Sequence, residues 1–256
     1  MIAATDLTKE YGDNQALAGV SFDVAPGTIC AYLGPNGAGK STTVKILTGV
    51  MRPTSGRAVV AGFDVQESPV EVKRRIGYVP ENAHLYMTLS VAEYFALVGT
   101  FHRIAPASVD ERGRKMLELF DIPKALNKRI GSLSKGQKQK VLISGALIHD
   151  PEVLIFDEPL SGLDANATQA VKQIVREMAD RRKTVFYCSH MLDVVERLCD
   201  RVIVIDQGTM IANDTPAGLI ERASAASLEE AFRRLTGGDN MEQRASEFAD
   251  AVRTKR

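Results

Sequence analysis

Short apolar runs that end in Gly, Asp or Ser constrain the fold of this chain more than any other sequence feature. Most of them lead into a stretch with helical spacing, and they lie at residues 28–33, 153–156, 184–188 and 201–205. Runs that are apolar throughout are typical of parallel strands that helices cover on both faces. We therefore predict an α/β fold with a mostly parallel sheet, whose ligands bind beyond the carboxyl ends of the strands.

Two regions depart from this alternation of strands and helices. Residues 2–7 and 20–24 read as short strands joined by a loop, which predicts antiparallel strands near the N-terminus. Helical spacing between residues 85 and 150 predicts an inserted helical region. We expect one domain at 1–237, with a core at 1–85 and 151–225 and a helical subdomain at 86–150, followed by an Ala- and charge-rich tail at 238–256.

The composition is that of an ordinary globular protein. The 256 residues are 45% hydrophobic and 25% charged, which excludes collagen-like, disulfide-scaffold and wholly disordered classes. Lys and Arg number 32, as do Asp and Glu, so no overall basic charge points to a nucleic-acid partner. No stretch approaches the roughly 20 apolar residues that a membrane-spanning helix needs. Three cysteines without C-x-x-C spacing favour reduced thiols in a reducing compartment.

The strongest motif is the segment 34–41, which fits G-x-x-x-x-G-K-[ST] between a predicted strand and a predicted helix. Its glycines allow successive backbone N–H groups to point at one anion, beside the positive end of the helix dipole. Lys40 can reach the β- and γ-phosphates of a nucleotide, and the Ser41 hydroxyl can ligate Mg²⁺. The alternative is a glycine-rich turn that matches by coincidence. We predict that ATP is bound by Gly34, Pro35, Asn36, Gly37, Ala38, Gly39, Lys40, Ser41 and Thr42.

Two acidic residues follow the apolar run at 153–156. Asp157, at the strand end, is expected to hold Mg²⁺ as the acidic partner of Ser41. Glu158, one residue further on, would lie near the γ-phosphate, where a carboxylate can orient and deprotonate an attacking water. The alternative is a helix N-cap with a solvated neighbour, but the phosphate-binding motif upstream favours the catalytic interpretation.

Residues 133–137 read Leu-Ser-Lys-Gly-Gln and precede Glu158 by about twenty residues. With this segment the chain resembles the ATP-binding subunits of ABC transporters, whose signature is L-S-G-G-Q; Lys135 replaces the first glycine. The resemblance implies that Ser134, Gly136 and Gln137 begin a helix and contact the γ-phosphate of an ATP molecule held by another subunit. A helix N-terminus that faces an anion suits this task. Taken alone, the segment reads as a helix capped by Ser134.

Further motifs of this family follow in order. Residues 161–164, Ser-Gly-Leu-Asp, match the D-loop, which the family places at the dimer interface. His190 matches the switch histidine that contacts the γ-phosphate, and with Lys40 and Glu158 it completes the implied catalytic set. Tyr11 matches the aromatic residue that stacks on adenine, although alone it would read as a loop tyrosine. The other histidines match no motif and are expected to be structural: His84, His102 and His149.

Glu81 departs from the usual pattern of the family. Gln normally follows the strand that we read at 76–79, in a loop that touches Mg²⁺ and the membrane partner. A carboxylate is still an oxygen ligand for the metal, but it adds negative charge beside Asp157 and Glu158. Glu at this position resembles the exporter-type branch of the family, as does the segment at 228–236. The resemblance extends over residues 2–237.

The resemblance implies an ATPase that uses ATP and Mg²⁺ to power transport, with export as the expected direction, through separate membrane-spanning subunits. Two cassettes, identical or different, would hold two ATP molecules head to tail. Because its N-terminus carries no export signal, we expect the chain on the cytoplasmic face of the membrane. Two alternatives are a soluble ABC-type ATPase that acts on ribosomes or DNA, and a cassette that binds ATP without hydrolysing it. The single phosphate-binding motif and the intact set Lys40, Asp157, Glu158 and His190 favour the transporter subunit.

Overall fold

The structure, a computed structural model, describes residues 1–82 and 85–237. The strands in these residues are β1 (Ile2–Tyr11), β2 (Asn14–Val24), β3 (Ile29–Leu33), β4 (Ser55–Val60), β5 (Phe63–Asp64), β6 (Ile76–Val79), β7 (Val153–Asp157), β8 (Thr184–Cys188), β9 (Arg201–Asp206) and β10 (Thr209–Asp214). The α-helices are α1 (Lys40–Leu47), α2 (Pro69–Arg75), α3 (Val91–Phe101), α4 (Pro106–Leu119), α5 (Lys135–Leu147), α6 (Ala165–Asp180), α7 (Leu192–Leu198), α8 (Pro216–Arg222) and α9 (Leu228–Leu235). The expectations for His84 and for the tail at 238–256 lie outside the described residues.

The central layer is a six-stranded sheet with the order β10-β9-β3-β8-β7-β6. Its strands run parallel except β10, which pairs antiparallel with β9. Strands β3 and β8 are buried at every residue, as the uniformly apolar sequence predicts. The predicted mostly parallel sheet is confirmed. Because β3, β6, β7 and β8 run in one direction, their carboxyl ends lie along one edge of this sheet.

A second, antiparallel sheet with the order β2-β1-β4-β5 packs against one face of the first. Three aromatic rings join the two sheets: the centroid of Tyr32 lies 5.6 Å from that of Phe22 and 4.9 Å from that of Phe186. The predicted N-terminal strands are present, but the loop between them is much shorter than expected. β1 and β2 stay paired up to Tyr11 and Asn14 through several register shifts, which break the alternation of apolar and polar residues that marks a strand in sequence.

Between β6 and β7 the described residues form helices, connecting segments and one isolated bridge between Ser90 and Arg129, but no strand. Both α3 and α5 begin with a capping box, formed by Ser90 with Glu93 and by Ser134 with Gln137. A Cβ atom added at Gly113 would lie 2.6 Å from the ring of Phe95, so only glycine lets α4 approach α3 so closely. The helical region is present as predicted, whereas the division of the chain into core and subdomain stays a prediction.

His102 and His149 meet where this helical region joins the sheet. His102 follows α3 and His149 follows α5, and their rings stack with centroids 3.6 Å apart. His149 Nε2 hydrogen-bonds to the carbonyl oxygen of Ile76 at 2.9 Å, while its Nδ1 is buried without a hydrogen-bond partner. Burial and the neighbouring His102 ring together lower the pKa of His149 to about 4.

The helices of residues 1–82 and 85–237 do not include one that is both long enough and apolar enough to span a bilayer. Cys30, Cys188 and Cys199 are all buried free thiols. Burial raises the pKa of Cys30 to about 12, which keeps this thiol protonated and unreactive.

Candidate active site

The segment 34–39 forms the connection between β3 and α1, and two of its glycines are required by close backbone contacts. A Cβ atom added at Gly34 would lie 2.4 Å from the carbonyl oxygen of Ile205. Gly39 has φ +104°, and a Cβ there would lie 2.5 Å from the carbonyl oxygen of Ala16. No side chain caps the N-terminus of α1, so the first N–H groups of this helix are available to an anion. The loop thus has the geometry of a phosphate cradle.

Lys40 folds back over this loop. Its Nζ donates hydrogen bonds to the carbonyl oxygens of Gly34 at 2.6 Å and Pro35 at 3.0 Å. The ammonium group therefore lies directly above the cradle, where a bound phosphate would exchange these contacts for charge-assisted ones. Ala38 differs from its neighbours: its side chain is buried in the core and its N–H donates to the oxygen of Pro35 at 3.2 Å.

Three carboxylates converge at the carboxyl ends of β6 and β7. Asp157 is the last residue of β7, Glu158 follows it, and Glu81 follows β6. Burial, reinforced by the charges of Glu81 and Glu158, raises the pKa of Asp157 to about 6. Such a concentration of negative charge is stabilised by a cation, and oxygen atoms are the ligands that Mg²⁺ prefers.

Magnesium therefore suits this donor set, provided that phosphate oxygens complete its coordination. Ser41, Asp157 and Glu81 line one cavity and offer hydroxyl and carboxylate oxygens. Within the part of the chain that the structure describes, no three His, Cys, Asp or Glu side chains form a metal site by themselves. Ser41, Asp157 and Glu81 would therefore hold the ion together with the phosphate oxygens of a nucleotide.

Glu158 and His190 form the closest pair of potential catalytic groups. Nδ1 of His190 lies 2.8 Å from Oε2 of Glu158, and Ser189 Oγ donates to the same oxygen at 3.3 Å. The Glu158 side chain is only 15% exposed, whereas that of His190 is 80% exposed. Glu158 has φ +51°, and its N–H donates to the carbonyl oxygen of Cys188 at 2.9 Å, which anchors it to β8. A base held in this way can act on a water molecule at the phosphate.

A cavity of about 790 Å³ connects these groups. The predicted residues that it brings together are Tyr11, Gly34, Pro35, Asn36, Gly37, Gly39, Lys40, Ser41, Thr42, Glu81, Asp157, Glu158 and His190. Its walls also include residues that we did not predict: Asn14, Ala16, Leu33, Ser189, Leu192 and Phe232. Ser189 could have been found from its place directly after a predicted strand, but Leu192 and Phe232 belong to helices and carry no local signal.

Tyr11 lies at the tip of the β1–β2 hairpin, paired with Asn14. Its side chain is 45% exposed at the rim of the cavity. The hydroxyl donates to Sδ of Met51 at 2.8 Å, and Lys9 Nζ lies 5.4 Å from the ring centroid. These contacts orient the ring and leave one face available for a nucleobase.

Ser134, Gly136 and Gln137 do not line this cavity. Ser134 Oγ accepts a hydrogen bond from the N–H of Gln137 at 3.2 Å, and the Gln137 side chain accepts one from the N–H of Ser134 at 3.1 Å. A Cβ atom added at Gly136 would lie 2.8 Å from the oxygen of Gly162, so the start of α5 packs tightly on the segment 161–164. A single chain therefore does not bring these residues to its own phosphate cradle.

Lys140 provides a second connection between α5 and the segment 161–164. It is almost fully buried, and its Nζ lies 3.2 Å from Oδ2 of Asp164 and 3.2 Å from the carbonyl oxygen of Phe120. Asp164 in turn caps α6 by accepting from the N–H of Ala167 at 2.8 Å. Helix α5 and the segment 161–164 are thus held together within one chain.

The parallel sheet, the loop 34–41 at the end of β3 and the acidic pair at the end of β7 define a P-loop nucleoside triphosphatase. Comparison with known proteins specifies this class further. The model of the ABC transporter family matches residues 17–161. The linearmycin resistance ATP-binding protein LnrL of Bacillus subtilis (strain 168) is 35% identical over 222 residues, which are 87% of this chain and 71% of the relative.

Two further comparisons agree with this match. The Nod factor export ATP-binding protein I of Rhizobium meliloti (strain 1021) is 34% identical over 238 residues, 93% of this chain and 70% of that protein. A solved structure of an ATP-binding subunit of an ABC transporter superposes with a TM-score of 0.87 at 31% identity, covering 92% of this chain and 99% of the other. The chain belongs to the ABC transporter family, as an ATP-binding subunit and ATPase that powers transport.

Proposed function

We propose that this chain binds ATP with Mg²⁺ in the cavity and hydrolyses it there to drive export through membrane-spanning partner subunits. The observation that carries the catalytic part is the pair Glu158–His190, 2.8 Å apart in the cavity that Lys40 and the phosphate cradle also line. Export is supported by a relative that is named for Nod factor export, and by Glu81, which follows the exporter-type pattern.

Nucleotide binding is assigned to the residues of the cavity. The backbone N–H groups of the loop and of the first turn of α1 would hold the β- and γ-phosphates, with Lys40 as a mobile positive charge. Ser41, Asp157 and Glu81 would hold Mg²⁺, which neutralises phosphate charge when bound. Tyr11 would stack on the base. Thr42 lies next to Ser41 on the same wall of the cavity.

Hydrolysis is assigned to Glu158 and His190. Glu158 would orient a water molecule toward the γ-phosphorus and take its proton as the new P–O bond forms. The bond from the γ-phosphorus to the bridging oxygen breaks, which leaves ADP and inorganic phosphate. His190, whose Nδ1 lies 2.8 Å from Oε2 of Glu158, would contact the γ-phosphate and stabilise the charge that develops on it.

A second ATPase subunit would complete each site. Ser134, Gly136 and Gln137 lie at the N-terminus of α5 but outside the cavity of their own chain, which supports a role at an ATP molecule bound by another chain. We infer a head-to-tail pair in which Lys40 and Glu158 of one chain and Ser134 of the other contact one nucleotide. This pair would lie on the cytoplasmic face of the membrane, and each chain would consist of a core at 1–85 and 151–225 and a helical subdomain at 86–150.

The substitution Glu158→Gln tests catalysis and pairing together, because it keeps the shape of the side chain and removes the base. We expect hydrolysis to fall by a factor on the order of 10²–10⁴ while ATP binding persists. Unhydrolysed ATP should then hold two chains together, so size-exclusion chromatography should give a dimer with ATP and a monomer without it. Adding Ser134→Arg should abolish the dimer, because the larger side chain would occupy the position of the γ-phosphate.

Glu118→Gln is the matched control, since Glu118 is an exposed residue of α4 that does not line the cavity. It should hydrolyse ATP at the rate of the unmodified chain. Undiminished hydrolysis in Glu158→Gln would refute the role of Glu158. The head-to-tail pair would be refuted if Glu158→Gln binds ATP but forms neither a homodimer nor a heterodimer with a co-expressed second cassette.

A further inference from the structure

Phe232 is a cavity residue that no sequence motif accounts for. It lies on α9, about forty residues after His190, and lines the cavity together with Lys40, Glu158 and His190. Its ring is half-buried and packs against the main hydrophobic core. An apolar ring beside three charged groups does not serve phosphate binding, so its presence there needs another explanation.

The helix that carries Phe232 is fixed to the rest of the chain at both ends. At its start the N–H of Leu228 donates to Oε2 of Glu196 on α7 at 2.8 Å, and Leu228 itself is fully buried. Near its end Arg234 donates to the carbonyl oxygens of Ala223 and Ser224, each at 2.8 Å. Phe232 is therefore presented to the cavity from a firm support.

The loop that carries His190 contacts Glu158 through two side chains, His190 at 2.8 Å and Ser189 at 3.3 Å. The His190 side chain is 80% exposed, and Ser189 Oγ accepts one hydrogen bond from the N–H of Met191 at 3.1 Å. Leu192 begins α7, lines the cavity and packs against the same core cluster as Phe232. The helices α7 and α9 pack against each other, and Phe232 lines the same cavity as Leu192 and His190.

We propose that Phe232 is a positioning residue for ATP hydrolysis, which supports the residues after β8 and so keeps His190 within hydrogen-bond distance of Glu158. The proposal rests on the proposed catalytic role of the Glu158–His190 pair. A phenyl ring suits this task because it fills space without a hydrogen-bonding group that could compete for the Glu158 carboxylate. A small displacement of a catalytic group is costly, so loss of this support should slow the chemical step.

The test compares the steady-state kinetics of Phe232→Ala and Phe232→Leu. We expect kcat to fall on the order of tenfold or more in Phe232→Ala, with KM for ATP nearly unchanged, because geometry is lost and not binding. Phe232→Leu should recover most of kcat, since it restores apolar volume. Phe101→Ala is the control, because Phe101 is 69% exposed on α3 and does not line the cavity.

A double-mutant cycle separates positioning from a purely structural role. If Phe232 acts through His190, then Phe232→Ala should change kcat little in a chain that already carries His190→Ala. The proposal would be overturned if the fold-reduction of kcat in the double variant equals the product of the fold-reductions in the two single variants. It would also be overturned by a rise in KM at constant kcat, which indicates contact with the nucleotide, or by a lowered melting temperature at unchanged kcat, which indicates a role in folding only.

The outcome for Glu158→Gln distinguishes failure of this inference from failure of the proposed function. Normal kinetics in Phe232→Ala together with an inactive Glu158→Gln would overturn the role of Phe232 alone. Normal hydrolysis in Glu158→Gln would remove the pair on which both depend.

Discussion

Replacement of His149 should change how the stability of this protein depends on pH. In the folded chain burial and the stacked His102 hold the pKa of His149 near 4, against a usual value of 6.5. The nearby Arg112 acts in the same direction, while Asp150 and the bond to Ile76 oppose it. Burial also lowers the pKa of His102; a hydrogen bond with the Arg74 backbone raises it, and the charge of the Arg74 side chain lowers it again. The folded state therefore keeps this cluster uncharged in mild acid, where the unfolded chain binds protons.

The magnitude follows from the difference between the two pKa values. At 1.36 kcal/mol for each pH unit, the gap between 6.5 and about 4 corresponds to about 3 kcal/mol, as an order of magnitude. Because the folded pKa is the lower one, this stability is fully present above pH 6.5 and is lost as the pH falls toward 4. We expect His149→Phe, which keeps a ring beside His102, to remove most of this dependence.

The assay is urea unfolding of the unmodified chain and of His149→Phe at several pH values between about 4 and 7. The loss of the hydrogen bond to Ile76 lowers stability by about 1 kcal/mol at every pH, so the informative quantity is how the difference between the two proteins changes with pH. Acidic groups common to both proteins cancel in that difference. Leu119→Gln, at an exposed position of α4, controls for substitution as such. Parallel curves for the unmodified chain and His149→Phe would refute the reasoning.

Two further predictions concern the nucleotide site. Lys40→Ala removes the ammonium group above the phosphate cradle, so ATPase activity should collapse while the melting temperature is retained. The control is Lys115→Ala at an exposed position of α4 outside the cavity, and a normal rate in Lys40→Ala would contradict the assignment. Glu81→Gln removes one of the charges that raise the pKa of Asp157, so the Mg²⁺ concentration needed for half-maximal activity should change. The stimulation of the ATPase by membrane subunits should change as well, while ATP binding should persist. Identical Mg²⁺ titrations and equal stimulation in both forms would make Glu81 a bystander.

Local sequence was sufficient to predict those site residues that directly follow a single strand. The phosphate cradle, Asp157 and Glu158 each follow directly from an apolar run, and the cavity brings them together as expected. The same holds for the parallel sheet, whose buried strands carry their own signal.

Contacts between distant segments were not predictable in this way. Leu192 and Phe232 reach the cavity through the packing of α7 and α9, which depends on residues spread over both helices. The stacking of His102 on His149 depends on how two helices end, and nothing in the spacing of the two residues indicates it. The lengths of β1 and β2 were underestimated because register shifts in this hairpin disrupt the alternation of apolar and polar residues. The role of Ser134 was suggested only by resemblance, because its local geometry is that of a helix cap.

The exposed position of Tyr11 bears on which nucleotides the protein accepts. The phosphates would be held by backbone groups that the sheet and α1 make rigid, whereas the base would meet one half-exposed ring at the tip of a hairpin. Stacking on a ring is nearly independent of the identity of the base, because every base presents a similar flat face. Discrimination between adenine and guanine nucleotides should therefore be weak. ATP would then be the nucleotide that is hydrolysed in the cell because it is abundant there. Competition between ATP and GTP for the purified protein measures this directly.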